Sequence, residues 1–572
     1  MDPNPESPDE DVLTLYDYDN VGRLTETIDP LGLVTRYVYH DADDQADEII
    51  RNYDPGKTPY QDGMWNLSSL NYHDPAGRLV YTVTNALNWN GPDPDLELDL
   101  SGDGNPDYRL KIDPEQPEFN IITFTLYDAA GRVIETISNH WPGKEPYYQG
   151  LYNLSTRTFY DKAGRVAATV NNYYEADLPG GGAPEGMDFD GDGVFDAYLE
   201  INPDYPQFNR ISQTSYDAAG RVSTTTQTAW PGRSNYYSPP GWDVVYNLVT
   251  AMEYDPAGNV IKTIQNFDDN NTNGFPVPVL LDPTGSPVTV YVDPDKPDRN
   301  QITCTQYDAL NRPLFVRTAC IPGQPDYFSF GENLYNLVTY YIYDEMGRQI
   351  ASVRNFNDPG GSGNLNLTEE YNFITRNYYD GLGRVIYTVN NFVGDVSNPT
   401  VPVYDPDLPD RNLVTRYYYD AHGRQIAVVR NYWEPPATAD GELTAAEIEA
   451  GLPDRNLVTR TYHNSRGLVH TTVTNFVGEI ENTVPTSFDP QYPDRNLLSE
   501  FTYDILGRQI ENKIERGTDG NRTNRNEYDL LGRLSRQVTN FVDGIFDPLI
   551  TDEDLITIFE YDLLNRQVIT TD

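Results

Sequence analysis

The sequence predicts an all-β chain built from tandem antiparallel β-hairpins. A Tyr-Asp-x-x-Gly-Arg pattern recurs along the chain, and β-prone runs flank each copy. The Gly place of the pattern holds only residues that tolerate a left-handed backbone. The chain has 44 Tyr among 572 residues, and Tyr suits half-buried strands because its ring packs while its hydroxyl stays in water.

The pattern occurs in fifteen aligned copies, and flanking residues fix the alignment. A Thr or Ser usually lies four residues before the Tyr, and an Asn often lies eight residues after the Gly. Three copies have His in the Tyr place, at His40, His73 and His463, where we expect packing rather than metal binding. The other copies start at Tyr18, Tyr127, Tyr160, Tyr216, Tyr254, Tyr307, Tyr343, Tyr379, Tyr419, Tyr503, Tyr528 and Tyr561.

Each copy is interpreted as a hairpin closed by a four-residue turn. The Asp suits the first turn position, since its carboxylate accepts backbone N–H groups. The Gly place holds only Gly, Asn (Asn311, Asn565) or Asp (Asp44), which predicts φ > 0 there and a type I turn closed by a left-handed residue. The Arg then opens the return strand, from which it can reach the turn Asp or stack on a Tyr.

The charge of the chain is strongly negative, because 40 Lys and Arg face 88 Asp and Glu, a formal net charge of −48. Such a polyanion repels nucleic acid and anionic lipid, so neither is expected as a partner. Acidic residues clustered in loops favour calcium, and a solvated acidic surface is the alternative. No apolar run is long enough to span a bilayer. The first residues do not form a signal peptide, so an export signal is expected elsewhere or in a longer protein.

The chain has two cysteines, Cys304 and Cys320, and we expect both to stay reduced. If Tyr307 pairs with Arg312 across the turn, Cys304 lies opposite Phe315, five residues before Cys320. An offset of about 16 Å along the strand would exceed the reach of a disulfide.

The pattern resembles the YD repeat, also called the Rhs repeat, and the resemblance extends from about Asp11 to Asp572. Members of this family include bacterial polymorphic toxins, wall-associated proteins, subunits of insecticidal toxin complexes and teneurins. The resemblance implies that the hairpins join edge to edge into a spiralling sheet, which forms part or all of a hollow shell. Such a shell can enclose a toxic C-terminal polypeptide. The chain departs from complete members because it has no glycine-rich closing signature or distinct effector region, so release by self-cleavage is not carried over.

The connectors between hairpins are of two kinds. Short ones begin Trp141-Pro-Gly, Trp230-Pro-Gly and Ile321-Pro-Gly, and long acidic ones alternate with them in the first part of the chain. Composition does not change sharply at any point. We therefore expect a disordered acidic segment over residues 1–10 and one continuous hairpin array over 11–572, with calcium-loop insertions near 99–107 and 188–196.

Two long connectors contain candidate calcium loops with the spacing D-x-D-x-D-G-x-x-D or a close variant. Alternate residues of a tight loop direct oxygen ligands inward, the Gly permits the turn, and the seventh residue offers its backbone carbonyl. These loops resemble the nine-residue calcium loops of integrin-type propellers, and the alternative is an acidic turn without an ion. The predicted ligands are Asp188, Asp190, Asp192, Val194 and Asp196 in one loop and Asp99, Ser101, Asp103, Asn105 and Asp107 in the other.

Weaker candidates have simpler interpretations. The segment 269–274 starts the calcium pattern but lacks its last acid, and residues 440–447 resemble only the back half of an EF-hand loop. We expect neither to bind metal. Trp141 and Trp230 could stack on sugars, but bracing of the connectors is the preferred interpretation.

The function predicted from these observations is a non-enzymatic structural scaffold or shell segment of a secreted or cell-surface Rhs-type protein, stabilised by calcium, which encloses or presents a toxin. Its expected partners are calcium ions and a further chain or C-terminal polypeptide of a larger protein. The alternative is an adhesin or carbohydrate-binding module whose partners are glycans. An enzyme ranks below both, since no nucleophile elbow, phosphate loop or zinc motif occurs.

Overall fold

The structure is a computed structural model of the 572-residue chain. It describes residues 14–29, 32–40, 44–60, 64–175, 184–230, 232–239, 245–281, 287–330, 333–357, 371–402, 408–434, 443–451, 454–483, 491–515, 521–529, 531–542, 545, 553–561 and 567–571. The segment 1–10, expected to be disordered, lies outside these residues, as does Asn565.

The described residues form 38 strands and one short helix. Eight of the strands, β7, β8, β13, β14, β19, β20, β23 and β24, belong to connectors, and the others belong to repeat hairpins. In chain order the elements are β1 (Leu15–Tyr18), β2 (Leu24–Ile28), β3 (Val34–Val38), β4 (Glu48–Arg51), β5 (Leu67–His73), β6 (Leu79–Thr84), β7 (Leu96–Leu98), β8 (Tyr108–Leu110), β9 (Ile121–Tyr127), β10 (Val133–Ser138), β11 (Leu154–Tyr160), β12 (Val166–Asn171), β13 (Glu185–Met187), β14 (Ala197–Leu199), β15 (Arg210–Tyr216), β16 (Val222–Gln227), β17 (Leu248–Tyr254), β18 (Val260–Gln265), β19 (Phe275–Val279), β20 (Val288–Val292), β21 (Gln301–Tyr307), β22 (Pro313–Thr318), β23 (Phe328–Phe330), β24 (Asn333–Tyr335), β25 (Leu337–Tyr343), β26 (Gln349–Arg354), β27 (Phe373–Tyr379), β28 (Val385–Asn390), β29 (Leu413–Tyr419), β30 (Gln425–Arg430), α1 (Ala445–Gly451), β31 (Leu457–His463), β32 (Val469–Thr474), β33 (Leu497–Tyr503), β34 (Gln509–Ile514), β35 (Arg522–Tyr528), β36 (Leu534–Thr539), β37 (Leu555–Tyr561) and β38 (Gln567–Thr571).

The chain divides into two compact units, residues 1–154 with 417–572, and residues 155–416. In the first unit, β1 to β6, β9 and β10 pair in that order, and β30 to β38 pair in chain order. In the second, β11, β12, β15 to β18, β21, β22 and β25 to β29 pair in chain order. Every pair is antiparallel, so the predicted all-β array of tandem antiparallel hairpins is confirmed.

The turn between β27 and β28 shows why the repeat closes a hairpin. Gly383 has φ +83°, and its N–H donates to the Asp380 carbonyl at 3.1 Å. The Asp380 carboxylate accepts the N–H groups of Leu382 and Arg384, both at 2.9 Å, and the Arg384 Nε at 2.7 Å. Asn311 has φ +60° at the equivalent place of the β21–β22 turn, so the predicted left-handed geometry is confirmed at both positions.

The repeat Arg also contacts the next hairpin along the chain. The Arg348 guanidinium lies 4.7 Å from the centre of the Tyr379 ring, and the Tyr379 hydroxyl donates to the Gln349 carbonyl at 2.6 Å. Both predicted roles of the Arg therefore occur, one within its own turn and one between hairpins. In seven further pairs the Arg lies over the Tyr ring and the Tyr hydroxyl donates to the carbonyl of the residue that follows the Arg. These pairs are Arg23 with Tyr39, Arg78 with Tyr127, Arg165 with Tyr216, Arg221 with Tyr254, Arg312 with Tyr343, Arg508 with Tyr528 and Arg533 with Tyr561.

One predicted repeat alignment is off by a single residue. Tyr39, not His40, makes the ring contact with Arg23 and the hydroxyl bond to the Leu24 carbonyl. The reason is that the connection from β3 to β4 spans residues 39–47 and is longer than the four-residue turn.

Paired asparagines close the opposite end of the hairpins. Asn391, eight residues after Gly383, and Asn412, which precedes β29, both have φ +49°. The Asn412 N–H donates to the Asn391 carbonyl at 3.0 Å, and its side-chain oxygen accepts the Val393 N–H at 2.8 Å. Asn suits both places because its short polar side chain tolerates a left-handed backbone.

Connector strands cover the apolar face of the repeat strands. Val170 and Ile211 of the repeat hairpins pack with Met187 and Leu199 of the β13–β14 connector. Equivalent clusters form at β7–β8, where Leu98 joins the core, and at β19–β20. Apolar residues on alternate positions of these short strands therefore hold the connectors in place.

The expectation that the two cysteines stay reduced is wrong, because Cys304 and Cys320 form a disulfide with a Cα–Cα distance of 5.9 Å. The assumed register is the source of the error. Phe315 lies opposite Gln306, and Cys304 lies opposite Arg317, since a register shift follows the turn.

A second irregularity brings the thiols within reach. Ala319 has φ +46°, and the N–H of Cys320 donates to the Ile302 carbonyl at 2.8 Å. Cys320 therefore lies beside the residue two positions before Cys304, on the same face of the sheet. Together the two irregularities reduce the predicted five-residue offset to two.

Helix α1 begins with a capping box. The Glu447 carboxylate accepts the N–H and hydroxyl of Thr444, at 3.0 and 2.9 Å. Within the described part of the chain, no helix has the length and apolarity needed to cross a membrane.

Candidate calcium loops

Each candidate loop is the turn of a small connector hairpin. Residues 99–107 join β7 to β8, and residues 188–196 join β13 to β14. The register pairs Leu96 with Leu110 in the first hairpin and Glu185 with Leu199 in the second. Leu110 and Leu199 are both fully buried, so each loop projects from an anchored base.

In the second loop, Asp188 organises the backbone. Its carboxylate accepts the N–H groups of Gly191 and Gly193, both at 2.8 Å. The two glycines have φ +75° and +85°, the left-handed geometry that the tight loop requires. At the seventh place, the Val194 N–H donates to the Asp192 carboxylate at 2.7 Å.

Three predicted ligands of this loop lie together. Carboxylate oxygens of Asp188, Asp190 and Asp196 all lie within 4.8 Å of one another. Burial raises the pKa of Asp196, and the charges of Asp190 and Asp188 raise it further. The three carboxylates therefore repel one another, and a bound cation would relieve that repulsion.

Asp192, at the fifth place, has a different partner. Its carboxylate lies 3.1 Å from the Lys162 ammonium, which extends from the turn between β11 and β12. The Val194 N–H and this ammonium lower the pKa of Asp192.

The first loop uses the same backbone arrangement. The Asp99 carboxylate accepts the N–H groups of Gly102 and Gly104, at 2.7 and 2.8 Å, and the Ser101 hydroxyl at 3.3 Å. The Gly104 N–H is the largest of the effects that lower the pKa of Asp99. Asp103 accepts the backbone and side-chain N–H groups of Asn105, at 2.8 and 3.1 Å.

Asp107, at the ninth place, lies near a histidine. Its carboxylate accepts the Ser101 N–H at 2.8 Å and lies 3.9 Å from the Nδ1 of His40. The first loop has Ser101 at the place that Asp190 takes in the second, so the cluster of Asp188, Asp190 and Asp196 has no counterpart of three carboxylates there.

The donor set of the second loop fits calcium. Its ligand atoms are carboxylate oxygens, and calcium prefers six to eight hard oxygen donors from carboxylates, carbonyls and water. Asp188, Asp190 and Asp196 would hold the ion, and the loop pattern adds the Asp192 carboxylate and the Val194 carbonyl. The bound ion would supply charge neutralisation and rigidity to the connector.

The two weaker candidates are placed differently. Residues 269–274 precede β19 rather than joining β19 to β20. Residues 440–442 lie outside the described part, and Glu447 is engaged in the capping box of α1.

The connector tryptophans pack against their own connectors. Trp141 meets Tyr148 and Tyr152 edge-on, with ring centres 5.8 and 4.9 Å apart, and the Lys144 ammonium lies 5.1 Å from its ring. Trp230 makes equivalent edge-on contacts. These ring contacts agree with the interpretation that the tryptophans brace their connectors.

Sequence reasoning missed two functional contacts. Lys162 was not connected to the second loop, because 30 residues separate it from its partner Asp192 and no local pattern links them. The second is the contact between paired asparagines at the end of the hairpins opposite the turn. The Asn that precedes each Leu-Val-Thr run, such as Asn412, could have predicted it.

The family model described as RHS Repeat matches residues 18–45. No curated protein matches.

Solved structures that resemble the chain come from Tc toxins. The crystal structure of TcdB2-TccC3-TEV is 14% identical over 97% of this chain and 22% of its own, with a TM-score of 0.42. TcdB2-TccC3 without its hypervariable C-terminal region is 13% identical over 96% of this chain and 26% of its own, with a TM-score of 0.28. The Photorhabdus luminescens Tc holotoxin pore is 13% identical over 98% and 29%, with a TM-score of 0.20.

The chain thus spans 22 to 29% of the length of these proteins. The predicted resemblance to the YD-repeat, or RHS-repeat, family is confirmed, since residues 18–45 match the RHS repeat itself.

Proposed function

We propose that this chain is a non-enzymatic structural segment of a secreted or cell-surface RHS-type protein, braced by calcium at its connector loops. The observation that carries this proposal is the contact between successive hairpins, in which an Arg lies over the next Tyr and that Tyr donates to the preceding strand, as for Arg348 and Tyr379. A contact repeated at so many turns serves the continuity of the sheet rather than a single reacting centre.

The second loop supports the role of calcium. Asp188, Asp190 and Asp196 form an all-oxygen cluster whose charges oppose one another, and the fully buried Leu199 anchors its base. A cation that binds only the folded loop stabilises the folded chain by linkage.

The disulfide between Cys304 and Cys320 supports an extracellular location. Disulfides persist in oxidising environments and are rare where thiols are kept reduced.

The proposed partner is a further polypeptide of a larger RHS-type protein, which the scaffold encloses or presents. Support comes from the match of residues 18–45 to the RHS repeat, and the similar structures contain TcdB2 together with TccC3. Crosslinking mass spectrometry on the protein isolated from its natural producer tests this partner. Crosslinks from the hairpins to peptides outside residues 1–572 are expected, and crosslinks confined to these residues would contradict the proposal.

Calcium binding is tested by thermal melts of the whole chain in calcium and in excess chelator. Calcium at about 100 times its dissociation constant would add about 2.7 kcal/mol for one site. Asp190→Asn removes one clustered charge while it preserves the size of the side chain, and it should abolish most of the shift due to the second loop.

Asp204→Asn is the matched control, because Asp204 is exposed in the same connector outside the loop. This variant should keep the full calcium shift. Identical melts with and without calcium, together with no calorimetric heat on calcium addition, would refute the calcium part of the proposal.

A further inference from the structure

Lys162 places a positive charge at the second candidate loop. It occupies the turn that joins β11 to β12, and its side chain is 77% exposed, whereas Asp192 is 22% exposed. The ammonium lies 3.1 Å from the Asp192 carboxylate, so a distant hairpin turn supplies a cation to the connector.

The ammonium acts on the loop as a whole. Asp192 makes the direct contact, and Asp188 and Asp190 belong to the same nine-residue loop. Lys162 therefore sits in the combined field of the carboxylates that the loop pattern assigns to calcium.

We propose that Lys162 is an internal competitor of calcium at the loop 188–196. Without calcium, its ammonium neutralises Asp192 and ties the connector to the hairpin turn. A bound calcium ion takes Asp192 as a ligand and releases Lys162. This inference rests on the proposed function, since it concerns regulation of the proposed calcium site.

Charge and geometry both favour this exchange. Asp192 occupies the fifth place of the loop, and the pattern directs its carboxylate to the ion. One oxygen of that carboxylate lies 3.1 Å from the Lys162 ammonium, and two cations at one carboxylate repel each other. Calcium and Lys162 therefore cannot both use Asp192 at full strength.

The first loop provides an internal reference. Its fifth-place residue, Asp103, accepts N–H groups from Asn105, its own neighbour in the loop. The first loop follows the hairpin of β5 and β6, and the place that corresponds to Lys162 in that hairpin's turn is Pro75, which carries no charge. A change at Lys162 should therefore leave the first loop unaffected.

The test is calorimetric calcium titration of the full chain and of two variants. Lys162→Ala should strengthen calcium binding at one site by about two- to fivefold, the ratio that matches an exposed ion pair. Lys162→Arg keeps the charge and should bind calcium within about twofold of the parent. Lys513→Ala, which removes an ammonium from an ion pair outside the loops, is the control for net charge.

A second measurement reads the tether itself. Hydrogen exchange over residues 184–199 in chelator should be faster in Lys162→Ala than in the parent, because the tie to Asp192 is lost. In saturating calcium, the two proteins should exchange alike.

The outcomes separate this inference from the proposed function. Calcium binding that Lys162→Ala leaves unchanged or weakens would overturn the competitor role while the calcium loops stand. An absence of calcium heat in the parent and in Lys162→Ala would overturn both.

Discussion

Replacing Gly383 with valine tests the left-handed turn that closes each hairpin. Gly383 has φ +83°, a backbone geometry that residues with a side chain rarely adopt. A Cβ built on this residue would meet no atom within 4 Å. The cost of the substitution therefore comes from backbone strain and not from a clash.

The expected magnitude follows from that geometry. A left-handed backbone costs a residue with a side chain about 1–2 kcal/mol, and a β-branched side chain lies at the upper end, so Gly383→Val should destabilise its hairpin by about 2 kcal/mol. Gly383→Asn should cost less than about 1 kcal/mol, because Asn tolerates this region. Asn311 already adopts φ +60° at the equivalent turn place.

Hydrogen exchange over β27 and β28 is the appropriate assay. In a repeat array, each unit contacts mainly its neighbours, so one strained turn acts through local opening more than through global unfolding. A loss of about 2 kcal/mol corresponds to about 30-fold faster exchange in the slowest amides of the hairpin.

Gly381→Val is the matched control within the same turn. Gly381 is not left-handed, and a Cβ there also meets nothing within 4 Å. This variant should exchange nearly as the parent does. Equal effects of valine and asparagine at Gly383, or an equal effect of valine at Gly381, would refute the reasoning.

Two further predictions concern the disulfide and the turn carboxylate. Thiol titration of the denatured, non-reduced protein should find no free thiol, and two free thiols would contradict the structure. Cys304→Ser should lower the free energy of unfolding by about 3 kcal/mol, because the crosslinked cysteines lie 16 residues apart in the sequence. The Arg384 N–H and side chain hold the pKa of Asp380 below its usual value. The stability from Asp380 is therefore present above its unfolded pKa and lost as pH falls through the lower folded value. Melts should show Asp380→Asn less stable than the parent near neutral pH, with the gap closing in acid; a gap independent of pH would contradict this assignment.

The hairpins and their turns could be read from the sequence because their determinants are local. Asp380, Gly383 and Arg384 lie within five consecutive residues, and their hydrogen bonds form inside one turn. The spacing of Asp188 to Asp196 is likewise contained in nine residues, so the loop and its left-handed glycines were predictable.

The repeat alignment failed where the local rule changes. The connection after β3 is longer than the usual turn, and the Tyr role passes from His40 to Tyr39. The repeat pattern specifies residue types but does not predict that the connection between β3 and β4 is longer than four residues.

By itself, the sequence determined the all-β hairpin array, the left-handed turn glycines and the two partners of the repeat Arg, because each depends on a few neighbouring residues and on the alternation of strand faces. Only the tertiary structure decided that Cys304 meets Cys320 and that Lys162 reaches Asp192. The first contact depends on two backbone irregularities that add up along a strand, and the second depends on how a connector folds back over its hairpin. Both join residues whose separation in space is set by accumulated geometry rather than by local chemistry.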